Sequence, residues 1–174
     1  MVLLSGEALA QSQWEKIESV LTHPRCINCH TVTAFPTQGD DRHRHQFGVA
    51  RGEDNKGAGG LRCPACHQEK NQENGIPGAP GWHLAPRSMG WEAAPGVAMK
   101  GPRLCRTLLD RTKNGGMTAA QMEGHFETEP LVLWAWNPGS DLQGRRREPP
   151  PVPHAEFMQA VREWLRARAP CPKG

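Results

Sequence analysis

The residues with the most specific chemistry in this chain form two copies of the pattern Cys-x-x-Cys-His. They are Cys26-Ile27-Asn28-Cys29-His30, the first motif, and Cys63-Pro64-Ala65-Cys66-His67, the second motif. At this spacing two thiols can form thioether bonds with the vinyl groups of one haem while the histidine binds its iron. Cysteine pairs of this spacing also occur in structural zinc sites, which are the main alternative. Because a zinc site has no use for a histidine after each second cysteine, the sequence predicts two haem c groups, with His30 and His67 as proximal ligands.

The sixth ligand of each iron decides whether the haem transfers electrons or binds small molecules. His83 has apolar neighbours that could line a haem pocket, and His45 lies in the long loop between the motifs. We therefore expect His45 and His83 as distal ligands, with His43 as the substitute for His45 and Met89 as the main thioether alternative. Three other histidines are expected at helix ends or on the surface: His23, His125 and His154.

Two cysteines remain outside the motifs, Cys105 and Cys171. Haem attachment to this motif takes place outside the bacterial cytoplasm, where thiols oxidise, so we expect these two to form a disulfide. Two free thiols are the alternative. The same argument predicts a periplasmic protein. Residues 8–10 resemble a signal-peptidase site, but no basic segment precedes them, so we expect the export signal to be absent from this sequence.

The composition is typical of a loop-rich chain organised by cofactors. Only 37% of the 174 residues are hydrophobic, and 19 are Gly and 16 are Pro. Two buried porphyrins would supply the apolar surface that the side chains lack. The formal net charge of +3 is too small to suggest nucleic-acid binding. No segment is apolar over the length that a transmembrane helix requires.

The elements that must position the motifs are predicted to be helices and loops. An apolar stripe through Leu9, Trp14, Ile17 and Leu21 predicts a helix from about residue 5 to the first motif. A capping-box pattern at Thr118 begins another helix, and further helices are predicted over 104–114, 131–136 and 154–169. No segment shows the alternation of a strand. The predicted fold is all-α and loop-rich, wrapped around two covalent haems.

A single domain over residues 1–174 is expected, because the sequences flanking the two motifs do not match and no internal repeat is inferred. Within it, the first haem segment covers about 5–60 and the second about 61–102. The helical C-terminal part covers about 103–174.

The paired motifs in a short chain resemble those of the small periplasmic di-haem cytochromes c. Three further segments are similar to a group of proteobacterial di-haem proteins: His23-Pro24-Arg25-Cys26, Pro36-Thr37-Gln38-Gly39-Asp40-Asp41 and Trp82-His83-Leu84-Ala85-Pro86-Arg87-Ser88-Met89. Some of that group are labelled as subunits of isoquinoline oxidoreductase-type molybdenum hydroxylases. The resemblance implies electron transfer between periplasmic redox proteins, with a periplasmic oxidoreductase as one candidate partner.

No nucleophile or acid–base pair stands out in the chain, and a haem would carry the chemistry itself. The sequence therefore predicts an electron carrier, or an electron-transfer subunit of an oxidoreductase, rather than an enzyme in its own right. A peroxidase-like di-haem enzyme and a haem-based gas or redox sensor are the alternatives. Both require an iron that is open to small molecules.

Overall fold

The computed structural model describes residues 6–173. These residues form seven α-helices: α1 Gly6–Leu21, α2 Pro24–Ile27, α3 Cys63–Cys66, α4 Gly101–Leu109, α5 Ala119–Thr128, α6 Pro130–Leu133 and α7 His154–Arg166. Four short strands pair as two antiparallel hairpins, β1 Thr37–Gln38 with β2 His43–Arg44 and β3 Glu92–Ala94 with β4 Val97–Ala98. Three single turns of 3₁₀ helix lie at Gln46–Gly48, Arg87–Met89 and Trp134–Trp136.

The prediction of an all-α fold is wrong. The chain is only 40% helical and carries 7% strand, and wrapping around haem is not shown. The sequence did not indicate these strands, because each is two or three residues long and too short to show an alternation of apolar and polar residues. Glycines at positive φ help each hairpin to turn, Gly39 in the first (φ 75°) and Gly96 in the second (φ 80°).

Side chains from both ends of the chain build the main core. Helices α1 and α7 pack against each other, with the ring centroids of Trp14 and Trp164 5.4 Å apart. Other buried apolar residues complete this core: Ile17, Leu21, Leu104, Leu108, Phe157 and Val161. The side chain of Leu9, which the sequence places on the same stripe, lies outside the described residues.

Several local predictions can be compared directly with the structure. Cys105 on α4 forms a disulfide with Cys171 beyond α7, the pairing that the sequence predicts. Thr118 and Gln121 form the predicted capping box at the start of α5. Helix α4 ends at Leu109, before the predicted stop at the Gly115 turn. Within residues 6–173, no helix combines the length and apolarity needed to cross a membrane.

Two buried polar side chains hold the loops between the motifs. The fully buried carboxylate of Glu92 accepts hydrogen bonds from the hydroxyl of Thr31, 2.6 Å away, and from the N–H of Val32, 2.8 Å away. It also pairs with Arg42. The guanidinium of buried Arg51 donates to main-chain carbonyls of residues 31, 33 and 85. These bonds fix the chain that follows the first motif, because buried polar groups left without partners would destabilise the fold.

Candidate functional site

The first motif begins in a single helical turn, α2. Pro24 starts the turn, and the His23 side chain caps it by accepting a hydrogen bond from the N–H of Arg25. The N–H of His30 donates back to the carbonyl of Cys26, 3.1 Å away. As a result both cysteines of the motif and His30 line one cavity of about 290 Å³, which we call the first cavity.

The second motif forms a similar turn, α3, nearer the surface. The N–H of His67 donates to the carbonyl of Cys63, 2.9 Å away. Cys63 and His67 are half-buried, and Cys66 is exposed. The second site is therefore the more accessible of the two.

Both motif histidines are held through the same ring nitrogen. Nδ1 of His30 lies 2.9 Å from the carbonyl oxygen of Met89, and Nδ1 of His67 lies 2.7 Å from that of Pro77. A carbonyl oxygen can only accept, so Nδ1 carries the proton in each ring and the lone pair is on Nε2. Histidines that bind metals are oriented in this way, with the non-ligating nitrogen donating to a carbonyl or carboxylate.

A tryptophan stacks on each of these imidazoles. The rings of His30 and Trp91 are 3.5 Å apart at an angle of 9°, and those of His67 and Trp82 are 4.4 Å apart at 5°. Two unrelated loops thus supply the same pair of contacts, a carbonyl on Nδ1 and an indole on the ring face. Sequence reasoning did not find this shared plan, because a main-chain acceptor leaves no signature in residue type.

A buried glycine follows the accepting carbonyl at each site. A Cβ at Gly78 would lie 2.3 Å from the carbonyl oxygen of Lys70, and one at Gly90 would lie 2.6 Å from Cγ1 of Val32. Each loop therefore returns into direct contact with the residues that follow its motif histidine. This close approach keeps the carbonyls of Met89 and Pro77 within reach of the rings.

His45, a predicted distal ligand, lies beside the second motif. Its ring centroid is 6.0 Å from that of His67, with 74° between the ring planes. Its Nδ1 lies 2.8 Å from the carbonyl oxygen of Gln46, which leaves Nε2 unprotonated. Two imidazoles on opposite faces of one metal ion, with metal–nitrogen bonds of about 2 Å, have ring centres about 6 Å apart. The spacing of His45 and His67 fits a metal ion held between them.

The alternatives to His45 and His83 are placed less favourably. His43 is exposed on β2, and its Nδ1 lies 2.6 Å from a carboxylate oxygen of Asp41. Met89 is buried at the first cavity, but its carbonyl meets Nδ1 of His30, on the opposite edge of the ring from the free Nε2. The main chain of Met89 therefore lies on the proximal side of the imidazole.

Two histidines other than His30 line the first cavity, His83 and His125. Nδ1 of His83 lies 2.6 Å from the carbonyl oxygen of Gly81. His125 is half-buried in the cavity wall, so its expected surface position is wrong. His154 is also half-buried, so its expected exposure is wrong too, and its Nε2 lies 3.0 Å from the carbonyl oxygen of Phe126.

Burial sets the protonation of the motif side chains. It lowers the pKa of His30 to about 3, against the opposing effect of the Met89 hydrogen bond, and it lowers the pKa of His67. Burial also raises the pKa of Cys26 to about 12 and of Cys29 to about 11. The imidazoles are therefore neutral at neutral pH, the form that binds metals, and the thiols are not activated as nucleophiles.

The two motifs lie close to each other in the fold. After burial, the largest contribution to the raised pKa of Cys29 is the negative charge that Cys63 would carry. The last cysteine of one motif and the first cysteine of the other therefore lie within electrostatic range of each other. Cofactors bound at the two motifs would be neighbours.

The polar atoms that line the first cavity fit haem and zinc to different degrees. Four polar atoms of its lining residues are buried without a hydrogen-bond partner among the described residues: Arg25 Nε and Nη2, Trp91 Nε1 and Asn114 Oδ1. Of these, Arg25 Nη2 forms an ion pair with Asp40, which leaves Arg25 Nε and Trp91 Nε1 as the unpaired donors. A largely apolar group that carries carboxylates, as haem does, could satisfy both donors. A zinc site would instead need several protein ligands together. Across residues 6–173, no group of three or more His, Cys, Asp or Glu side chains could hold a metal ion. The residues fit haem better than zinc.

No protein-family model, no curated protein and no solved structure matches this chain. Any function assigned to it therefore depends on the geometry of the two sites.

Proposed function

We propose that this chain is a periplasmic electron-transfer protein that binds two haem c groups covalently, one at each motif. The observation that carries the proposal is the shared plan of the two sites. In each, a Cys-x-x-Cys-His histidine donates through Nδ1 to a main-chain carbonyl and stacks on a tryptophan. Two equivalent iron ligands held in the same way support two equivalent cofactor sites.

Haem iron, when bound, supplies one-electron redox chemistry at each site. The chain's own residues would anchor and tune it. The sulfurs of each motif hold the porphyrin, and Nε2 of His30 or His67 binds the iron. The carbonyls of Met89 and Pro77 make the imidazoles stronger electron donors, which favours the oxidised state. The stacked indoles fix the ring orientation and keep water away.

His45 would complete the coordination at the second motif. The 6.0 Å between the ring centroids of His45 and His67 is consistent with an iron bound by both imidazoles. A site closed on both faces by imidazoles transfers electrons and does not bind small molecules. Imidazole pairs also lack the thioether that raises the potential of His/Met cytochromes, so a low potential is expected at this haem.

The placement of the two sites suggests a route for electron flow. The second motif, with Cys66 exposed, is where a redox protein partner could approach, and the electrostatic effect of Cys63 on Cys29 indicates that the first site lies nearby. Electrons would then enter or leave through the second haem and be shared with the first. A periplasmic oxidoreductase is one candidate partner.

Small-molecule binding at the first haem is the second candidate function. The observation that favours it is the first cavity of about 290 Å³ beside His30. A peroxidase-like enzyme or a gas sensor would leave that iron open or weakly ligated.

Haem stoichiometry and CO binding test the proposal. The full chain is expressed with periplasmic export and haem attachment, and its mass is measured after acid treatment that removes non-covalent haem. We expect the polypeptide plus two haem masses, and a ferrous spectrum that does not change with CO. One haem, or bound zinc, contradicts the proposal, and CO binding by the wild-type chain supports the second candidate.

A matched pair of variants tests His45. His45→Ala should retain two haems and open one of them to CO, because Nε2 of His45 is lost from the second site. His43→Ala is the control, since His43 is exposed two residues away and paired with Asp41. If His43→Ala binds CO and His45→Ala does not, the ligand assignment is wrong.

A further inference from the structure

Helix α5 places an imidazole in the wall of the first cavity. Three of its residues line the cavity at the spacing of one helix face, Met122, His125 and Phe126, together with Glu129, which caps the C-terminus of the helix. Met122 and Phe126 are buried, so His125 lies on the apolar side of the helix. His125 is half-buried and lines the cavity, so its ring can reach a group that is held there.

Neither ring nitrogen of His125 forms a hydrogen bond with another residue of the part of the chain that the structure describes, so the imidazole is available to a bound group. Its ring centroid lies 6.0 Å from that of Phe126. His125 lines the same cavity as His30.

His83, the ligand predicted from the sequence, is held less firmly. Its Nδ1 lies 2.6 Å from the carbonyl oxygen of Gly81, in an exposed contact. It also lies on a loop, whereas α5 is fixed by its capping box and by packing on α7. The ring centroids of Phe126 and Phe157 are 5.3 Å apart, and Arg162 on α7 pairs with Glu123 on α5 at 2.9 Å.

We propose that His125 is the distal ligand of the haem at the first motif, opposite His30. This inference rests on the proposed function, since it needs a haem at that motif. With His125 bound, the first site would have two imidazole ligands, as the second has in His67 and His45. Both irons would then be closed to small molecules, which favours electron transfer over the peroxidase and sensor alternatives.

Three alanine variants of the haem-loaded chain test the assignment: His125→Ala, His83→Ala and, as the control, His154→Ala. Covalent haem is counted by mass, and CO binding is followed in the ferrous Soret band. We expect two haems in all three variants and CO binding to one haem in His125→Ala alone. Imidazole added to the ferric His125→Ala protein, without CO, should restore its low-spin spectrum. CO binding by His83→Ala, with or without binding by His125→Ala, overturns the assignment, as does a CO-inert His125→Ala.

His125→Met provides a second test if the alanine variant does not fold. A methionine at this position can still reach an iron, and its thioether gives an absorption band near 695 nm, roughly the region of Fe–S(Met) ligation. We expect that band in the ferric variant, with a rise in the potential of one haem. Its absence from a variant with two haems overturns the assignment. A chain with fewer than two haems before any substitution is instead a failure of the proposed function.

Discussion

Replacing Gly78 with alanine should disturb the second site and leave the first intact. The added methyl group would lie 2.3 Å from the carbonyl oxygen of Lys70 and 2.4 Å from that of Gln68. Ordinary contacts begin at 3.4 Å, so the backbone must separate by about 1 Å. Residue 78 is not free to move away, because its N–H donates to Asn71 and the preceding carbonyl, of Pro77, holds His67.

The size of the destabilisation depends on which atoms the added methyl group would approach. Both are main-chain oxygens, which cannot rotate aside, so the cost should lie in the range of about 1–3 kcal/mol found for overpacking. Displacing the carbonyl of Pro77 from His67 would remove a hydrogen bond worth about 0.5–1.5 kcal/mol. The imidazole would then be a weaker electron donor, and the potential of the second haem should rise.

Urea unfolding followed by far-ultraviolet circular dichroism measures the stability, and a redox titration of the two haems measures the potentials. Gly60→Ala is the matched control, since a Cβ there would meet nothing within 4 Å. Gly90→Ala should have a smaller effect, confined to the first haem, because the backbone atoms nearest to an added Cβ lie 3.1 and 3.2 Å away rather than 2.3 and 2.4 Å. A Gly78→Ala protein with wild-type stability and an unchanged second haem would refute the role given to this contact.

Two further predictions concern stability. Replacing Cys105 and Cys171 together with alanine should lower the free energy of unfolding by about 4 kcal/mol, from the 66-residue separation that the disulfide closes; a loss below about 1 kcal/mol in urea unfolding would contradict this estimate. Burial, and then the charge of Arg25, lower the pKa of His23 from 6.5 to about 4. The protonated ring cannot accept the N–H of Arg25, so stability should fall as the pH drops from about 6.5 to about 4. His23→Asn keeps the cap acceptor and should flatten that part of the urea-midpoint profile, whereas an unchanged profile would argue against His23.

Local spacing explains what could be predicted from the sequence. The chemistry of each motif depends on five consecutive residues, and the capping box at Thr118 on four, so neither needs knowledge of the fold. The pairing of Cys105 with Cys171 followed from the number of cysteines left over. The hairpins were missed for the opposite reason: strands such as Thr37–Gln38 are shorter than any pattern that identifies a strand.

The surroundings of the motifs depend on contacts between distant segments. The carbonyl of Met89 and the ring of Trp91 reach His30 from about 60 residues away along the chain. Nothing in the sequence near the first motif indicates these partners. The sequence does carry a signal that His125 lines the cavity, because it falls on the same helix face as Met122 and Phe126. Its position near a helix end, however, favours an exposed side chain, which is why the sequence predicts a surface position.

The walls of the first cavity have a consequence for the order in which the protein matures. Cys26 and Cys29 lie near the start of the chain, whereas α5 and α6, which close the cavity around them, follow some ninety residues later. In the folded chain both thiols are half-buried and protonated, a poor state for forming thioether bonds. Under the proposed function, haem must be attached while this segment is still open. If the disulfide between Cys105 and Cys171 formed too early, it would fix α4 to the C-terminal tail. The cavity would then tend to close around Cys26 and Cys29 before haem is attached to them. Export, haem attachment and oxidation would therefore have to occur in that sequence.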